Sequence, residues 1–369
     1  MAKCLYCEKE SITISEHLGV CIDCIRQDFK HVRSHIEKVH ADSREKYGLP
    51  AISPKDPNGI SCKVCVHECR ISPIGSLSYC GLRTTKDGRL TGISPYEGNL
   101  EWYYDALPTN CVADWVCPGG TGAGYPEYSY TKGPERGYRN LSVFYNGCSF
   151  NCLFCQNWQW RIYAFKKGRV SAEELSNRVD EYTSCICYFG GDPAPQLPHS
   201  IRSSRLALQK KKGRILRICW ETNGSMNPKL LDEIADISLK SGGCIKFDLK
   251  TYDEGLHQAL CGVTNKRTLE NFEKLSSYVK KRPIPPFLVA STLLVPGYVD
   301  EQEIKNLAQF IAALDKDIPY SLLAFYPHFY MDDLPTTSRA HAFRCLEIAK
   351  SAGLTNVRIG NVHLLGEVY

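Results

Sequence analysis

Three cysteines fall in one C-x3-C-x2-C run, Cys148, Cys152 and Cys155, directly behind the apolar stretch 141–145. That stretch reads as a strand, so the cysteines sit on the loop that leaves it. Three thiolates on one short loop can hold three irons of a cubane cluster, whose usual protein complement is four Cys. The fourth iron then lacks a ligand from this loop, and an open coordination position on a metal is where a small molecule binds. A fold for this chain must therefore present the loop at a strand end.

The pattern behind the loop supplies such a fold. Strand candidates lie at 141–145, 185–189, 215–221, 244–249, 287–295, 320–326 and 357–359. Amphipathic helix candidates at 172–182, 201–211, 228–240, 268–280, 301–314 and 336–351 separate them. Short apolar strands alternating with helices imply parallel βαβ units and an α/β class. Six units over about 220 residues are too few for a closed eight-unit barrel.

The 19 cysteines in 369 residues carry the next constraint. Paired C-x2-C spacings in a large chain without an apolar leader point to metal rather than disulfides, and to a reducing, anaerobic cytoplasm. Cys4 and Cys7 stand where a signal peptide would need its apolar core. No apolar run approaches the roughly 20 residues that span a bilayer, so no membrane partner is expected. The net charge of +5 is dispersed except at 210–214. That run reads as a solvated helix end, and no nucleic-acid partner is expected.

Taken in order, residues 1–58 form a zinc-ribbon-like module with a polar helix over about 25–47 and a linker. Cys4, Cys7, Cys21 and Cys24 match a tetrahedral Cys4 site for Zn or a single Fe, whose binding would supply much of the module's folding free energy. Ser53-Pro54 and Asp56-Pro57 favour extended chain in the linker. Residues 59–138 form a cysteine-rich leader. Cys62, Cys65, Cys69 and Cys80 can form a second site, for Zn or an Fe–S cluster. The run Gly119–Gly124 lacks the Lys-Ser/Thr of a phosphate-binding loop and reads as a tight turn. Cys111 and Cys117 could ligate an auxiliary metal, though their spacing is nonspecific. The segment from 99 to 140 leads into the cysteine loop and is a candidate to line or cover the site.

In a parallel barrel the chemistry sits at the C-terminal strand ends. Those ends read Gly190-Gly191-Asp192, Glu221-Thr222-Asn223-Gly224, Asp248-Leu249-Lys250, Pro296-Gly297 and Tyr326-Pro327-His328. With Phe154 just before the third loop cysteine, residues 139–369 resemble the radical S-adenosylmethionine (radical SAM) superfamily, in its pyruvate formate-lyase activase-like branch. The leader resembles that of AmmeMemoRadiSam-type proteins, with Cys80-Gly81-Leu82-Arg83 closing its cysteine set. The resemblance implies a partial (β/α)6 barrel over 139–369, a [4Fe–4S] cluster on Cys148, Cys152 and Cys155, and bound S-adenosylmethionine. It further implies Phe154 against the adenine, and Gly190, Gly191 and Asp192 near the amino group; Asp192 stands where the family has Glu. Glu221 and Asp248 are the carboxylates expected to face the sulfonium, directly or through a cation. His328 and Tyr326 compete for a sixth-strand role.

The resemblance also implies a protein or peptide substrate losing hydrogen, and an external one-electron donor of flavodoxin or ferredoxin type. A cobalamin-dependent methyltransferase is the alternative, although no Asp-x-His-x2-Gly cobalamin motif occurs. A metal-binding scaffold or electron carrier is the non-enzymatic one.

Overall fold

The computed structural model describes residues 1–166, 168–211 and 213–369, so Lys212 of the basic run lies outside the described residues. A 9-stranded sheet organises the chain. Its strands are β1 (Glu97–Ala106), β2 (Arg139–Tyr145), β3 (Arg169–Ser171), β4 (Thr183–Gly190), β5 (Arg217–Thr222), β6 (Ile245–Asp248), β7 (Leu288–Leu294), β8 (Tyr320–Ala324) and β9 (Val357–Gly360). They lie in the order β9-β8-β7-β6-β5-β4-β2-β1-β3. Strands β2 and β4 to β9 are parallel, each next to its successor, as right-handed βαβ units require. The sheet is open, with β9 at one edge and β3 at the other. The parallel α/β architecture expected from the alternation is thus present.

The helices of five or more residues are α1 (Ile22–Gln27), α2 (Phe29–Glu45), α3 (Ala172–Ser176), α4 (Leu197–Lys210), α5 (Pro228–Ser241), α6 (Glu254–Cys261), α7 (Lys266–Ser276), α8 (Glu301–Leu314) and α9 (Arg339–Ser351). Their starts carry their own signals. Asn227 accepts from Lys229 N ahead of Pro228, Asp300 accepts from Glu303 N, and Ser338 accepts from His341 N. The single helix expected over 25–47 is broken, because the Asp28 side chain accepts from His31 N and caps a new start. Helix α6 was not foreseen from periodicity; at 8 residues it is too short for a repeat to show.

Strand β1 is the larger departure. Residues 100–106 pair antiparallel with β2, from Leu100↔Tyr145 to Ala106↔Arg139, and residues 97–99 pair antiparallel with β3. Glu97-Gly-Asn and the polar-aromatic mixture that follows hide a strand from propensity. Pairing against an apolar neighbour forms it nonetheless.

Of the segment from 99 to 140, a candidate to line or cover the cysteine-loop site, Asn99 bonds to Asn146 beside the loop, whereas residues 111–124 close the opposite end of the barrel. Trp115 Nε1 donates to Ser321 Oγ at 3.1 Å, and Arg358 pairs with Asp114 at 2.6 Å; both partners lie at N-terminal strand ends. The buried Arg217–Glu135 pair ties the following residues to the start of β5.

The N-terminal residues join the main apolar core. Ile14, Leu18, Ile25, Val32 and Ile36 pack with Leu256, Leu260 and Tyr298. Arg26 forks onto Asp300 at 2.6 and 2.7 Å, at the N-terminus of α8.

Three buried histidines are held neutral. His40, His199 and His257 lose hydration on folding, which depresses each to about 4. A depressed folded value gives stability that is present above pH 6.5 and lost as pH falls through about 4. His67, depressed to about 3 by burial, acts with them, whereas Asp192, pushed up to about 7 by burial, and Glu303, raised by burial, work in the opposite sense. Urea midpoints are therefore expected to fall between pH 7.5 and pH 4.5, with a shallower slope in His199→Gln. Equal slopes in wild type and variant would contradict this account.

Candidate functional site

At the C-terminal strand ends lies a cavity of about 200 Å³. Cys148, Cys152, Phe154 and Cys155 line it from the loop after β2; Gly190, Gly191 and Asp192 line it from the end of β4. Glu221, Thr222 and Asn223 close it from β5, and Asp248 and Lys250 from β6. The structure thus brings together the loop, glycine and carboxylate residues singled out by sequence. Tyr326 and His328 do not line this cavity. Tyr326 is 46% exposed, with the His328 ring 5.4 Å from its own.

Close approach of backbones explains the two glycines. A Cβ on Gly190 would stand 2.6 Å from Tyr145 N, and one on Gly191 would stand 2.5 Å from Gly147 O. Gly191 N donates to Tyr145 O and Asp192 N to Gly147 O, each at 2.9 Å, so the two loops lie flush.

Asp192 is already engaged. It accepts from Ala194 N at 2.7 Å, Thr222 Oγ1 at 3.0 Å and Asn223 N at 2.6 Å. It therefore pins the ends of β4 and β5 to each other. Asn223, so placed, donates from Nδ2 to Cys148 Sγ at 3.7 Å and to Ser149 Oγ at 2.9 Å.

The cysteine loop is clamped from outside the barrel as well. Asn151 Nδ2 donates to His40 Nδ1 at 3.0 Å and to Ser43 Oγ at 2.7 Å, both on α2. His40 Nε2 donates in turn to Ala259 O on α6 at 3.0 Å, which sets the neutral tautomer. Asn151 Oδ1 accepts from Arg161 at 2.9 Å. From the leader, His67 Nε2 donates to Ser149 O at 2.6 Å. Asn151, His40, Ser43, Arg161 and His67 were not found by sequence reasoning, because their partners lie far away in the chain.

Charge in the cavity is only partly matched. Lys250 contacts Asp248; burial works against its ammonium, but Asp248 and the thiols of Cys152 and Cys261 outweigh it and raise its pKa. The other carboxylate oxygen of Asp248, Oδ1, is buried without a partner, as are Nε and one terminal nitrogen of Arg161. One Asp248 oxygen and two Arg161 nitrogens thus lack hydrogen-bond partners in residues that line one cavity, and a bound polar ligand would satisfy them.

Among the cysteines outside the cavity, Cys4, Cys7, Cys21 and Cys24 bring their sulfurs within 4.8 Å of one another. The Cys4–Cys24 and Cys7–Cys21 separations are 3.8 and 3.6 Å. A tetrahedral ion with bonds of about 2.3 Å to sulfur places its ligands about 3.8 Å apart, so the set fits one. Cys62, Cys65, Cys69 and Cys80 are all buried, but among the described residues no three of their sulfurs converge in this way.

Residues 142–311 match the family model of the radical SAM superfamily, from β2 through the cysteine loop into α8. The chain carries a domain of that superfamily and resembles its activase-like branch. It is 27% identical over 167 residues to the pyruvate formate-lyase 1-activating enzyme of Escherichia coli (strain K12), covering 44% of this chain and 63% of the relative. The chain thus spans less than two thirds of that enzyme's length. A protein of Methanocaldococcus jannaschii named as a glycyl-radical enzyme activating enzyme is 29% identical over 191 residues, 50% of this chain and 67% of the relative. A domain of a pyruvate-formate lyase-activating enzyme from Bacteroides vulgatus superposes with a TM-score of 0.38 and 24% identity, over 48% of this chain and 98% of that one. These relatives do not favour the methyltransferase alternative.

Replacing Asn151 by Ala leaves the buried Arg161 guanidinium and the His40 ring without their partner. Loss of about 2–4 kcal/mol in urea unfolding is expected. A loss below about 0.5 kcal/mol would refute the clamp, since that is the range of a surface change.

Proposed function

We propose that this chain is a radical SAM enzyme that removes hydrogen from a protein or peptide. One observation carries the reading: three loop cysteines share a strand-end cavity with the unmatched Asp248 oxygen and Arg161 edge. A reduced [4Fe–4S] cluster and S-adenosylmethionine supply, when bound, a 5′-deoxyadenosyl radical.

Cys148, Cys152 and Cys155 would hold three irons. Burial and the neighbouring Asp192 hold the Cys148 thiol well above its ordinary range, and Phe150 N, donating to Sγ at 3.3 Å, offsets this only in part; Asn223 Nδ2 donates to the same sulfur. Asp248 and Glu221 offer negative charge to the ligand's cationic groups, and Arg161 offers its free edge to a carboxylate. Phe154, Trp160, Phe189, Leu293 and Leu323 wall the cavity and exclude water from the reacting region. Asp192 orients Thr222 and Asn223 rather than meeting the ligand's amino group through its carboxylate.

The substrate class is supported by the activating-enzyme names of the relatives, whose printed activity is on another enzyme. Reduction calls for an external one-electron donor of flavodoxin or ferredoxin type. Among the described residues, no helix is long and apolar enough to cross a membrane. The many free thiols fit a reducing cytoplasm. For the N-terminal four-cysteine set we assign zinc, on its near-tetrahedral spacing.

The anaerobically reconstituted protein is expected to release 5′-deoxyadenosine from S-adenosylmethionine on reduction, and Cys152→Ala to release none. Wild-type release by that variant, followed by chromatography, would overturn the assignment. Incubation with deuterated S-adenosylmethionine and candidate protein extracts, read by mass spectrometry, should show hydrogen loss from a protein. Addition of a labelled methyl group would support the methyltransferase instead.

Cys7→Ser with Cys24→Ser is expected to remove one zinc per chain by elemental analysis and to lower the thermal midpoint. Unchanged zinc content would refute that site.

A further inference from the structure

On the N-terminal side of the same strands lies a second cavity of about 200 Å³, lined by six cysteines. Cys185 and Cys187 come from β4, Cys219 from β5, and Cys244 from the residue before β6. Cys111 and Cys117 come from the segment that crosses the barrel floor. Side chains alternate along a strand, so Cys185 and Cys187, Arg217 and Cys219, and Cys244 and Lys246 all face inward. Parallel-barrel interiors are ordinarily filled by Val, Ile and Leu. Here they are thiols and a lysine.

Lys246 is the informative neighbour. It is 1% exposed, and its Nζ lies 2.9 Å from Cys111 Sγ, 3.1 Å from Cys187 Sγ and 3.3 Å from a Glu221 oxygen. A buried ammonium is costly unless its partners carry matching negative charge. Two of its three neighbours are sulfurs, which match it well only as thiolates or as metal-bound sulfur. Arg217, at the floor of the same cavity, is already matched by Glu135 at 2.5 Å. The chamber therefore sets a buried ammonium against one carboxylate and two sulfurs, a polar lining where a barrel interior is ordinarily apolar.

Sulfur spacing distinguishes a single ion from a larger group. The N-terminal set converges as one tetrahedral ion requires, whereas among the described residues no three sulfurs of this chamber do. Cys219 and Cys244 stand 4.0 Å apart, and the other four cysteines line the same cavity.

We propose that the chamber binds a second iron–sulfur cluster, held by thiolates drawn from these six cysteines, with Lys246 donating to cluster-bound sulfur. Phe189 and Glu221 line both cavities, so the cluster would adjoin the first site. Its mouth opens at Tyr103, which is 50% exposed, and Asn110. The proposal stands on the chamber itself and does not depend on S-adenosylmethionine cleavage.

The test uses the full chain carrying Cys148→Ala, Cys152→Ala and Cys155→Ala, reconstituted anaerobically with iron and sulfide. About 2–4 irons per chain and a reduced-cluster electron paramagnetic resonance signal are expected to remain. Adding Cys219→Ser and Cys244→Ser should abolish both, whereas adding Cys62→Ser and Cys65→Ser should not. No iron in the triple variant, or loss only on changing Cys62 and Cys65, overturns the proposal. Retained zinc and an unchanged circular dichroism spectrum report that the variants fold. Should the serine variants unfold, Lys246→Met in the triple-variant background decides. Retained iron with a shifted resonance signal supports the site, and an unshifted signal refutes it.

Discussion

The cysteine loop could not hold its shape alone; it depends on the hydrogen bonds that converge on Asn151. One side-chain amide joins α2, the loop and Arg161, while His40 extends the link to α6. Each member is buried, so each bond lacks a competing water and each unpaired partner would be costly. A neutral His40 is integral to this arrangement, since its ring must accept at Nδ1 and donate at Nε2. The N-terminal residues therefore do more than carry a metal set. They form one wall of the seat in which the loop rests.

The barrel supplies the opposite wall. Backbone contact between the loops after β2 and β4 leaves no room for a Cβ at Gly190 or Gly191, and Asp192 draws the end of β5 into the same contact. Asn223 then reaches both Cys148 and Ser149. Three strand ends are thus tied before any ligand is considered, and such preorganisation is what a reactive site requires. The polar atoms left without partners, on Asp248 and Arg161, are hydrogen-bonding capacity that a bound ligand would meet.

Two thiol environments inside one barrel differ in their electrostatics. At the C-terminal end, Cys148 is buried beside Asp192, and the donors Phe150 N and Asn223 Nδ2 meet its sulfur. On the floor side, the Lys246 ammonium stands beside Cys111 and Cys187. Glu221 and Phe189 stand between the two regions, so a change in charge on one side is felt at short range on the other.

Much of this was legible in the chain. The spacing of Cys148, Cys152 and Cys155 and the β-α alternation determined the parallel sheet, the position of the loop at a strand end and the carboxylates beside it. Those signals are local, set by ligand spacing and by periods of about 2 and 3.6 residues. The pairing of Cys4 and Cys7 with Cys21 and Cys24 was local in the same sense. Tertiary structure alone decided the rest. Strand β1 exists because β2 offers it a partner, and Asp192 became a tie because Thr222 and Asn223 lie opposite it. His328 stayed outside the cavity, while His40, Asn151 and Arg161 met across large sequence separations. The barrel floor gathered Cys111, Cys117, Cys185, Cys187, Cys219 and Cys244, which no spacing rule connects. Contacts between distant residues depend on how layers pack, and no short-range pattern in a sequence encodes that packing.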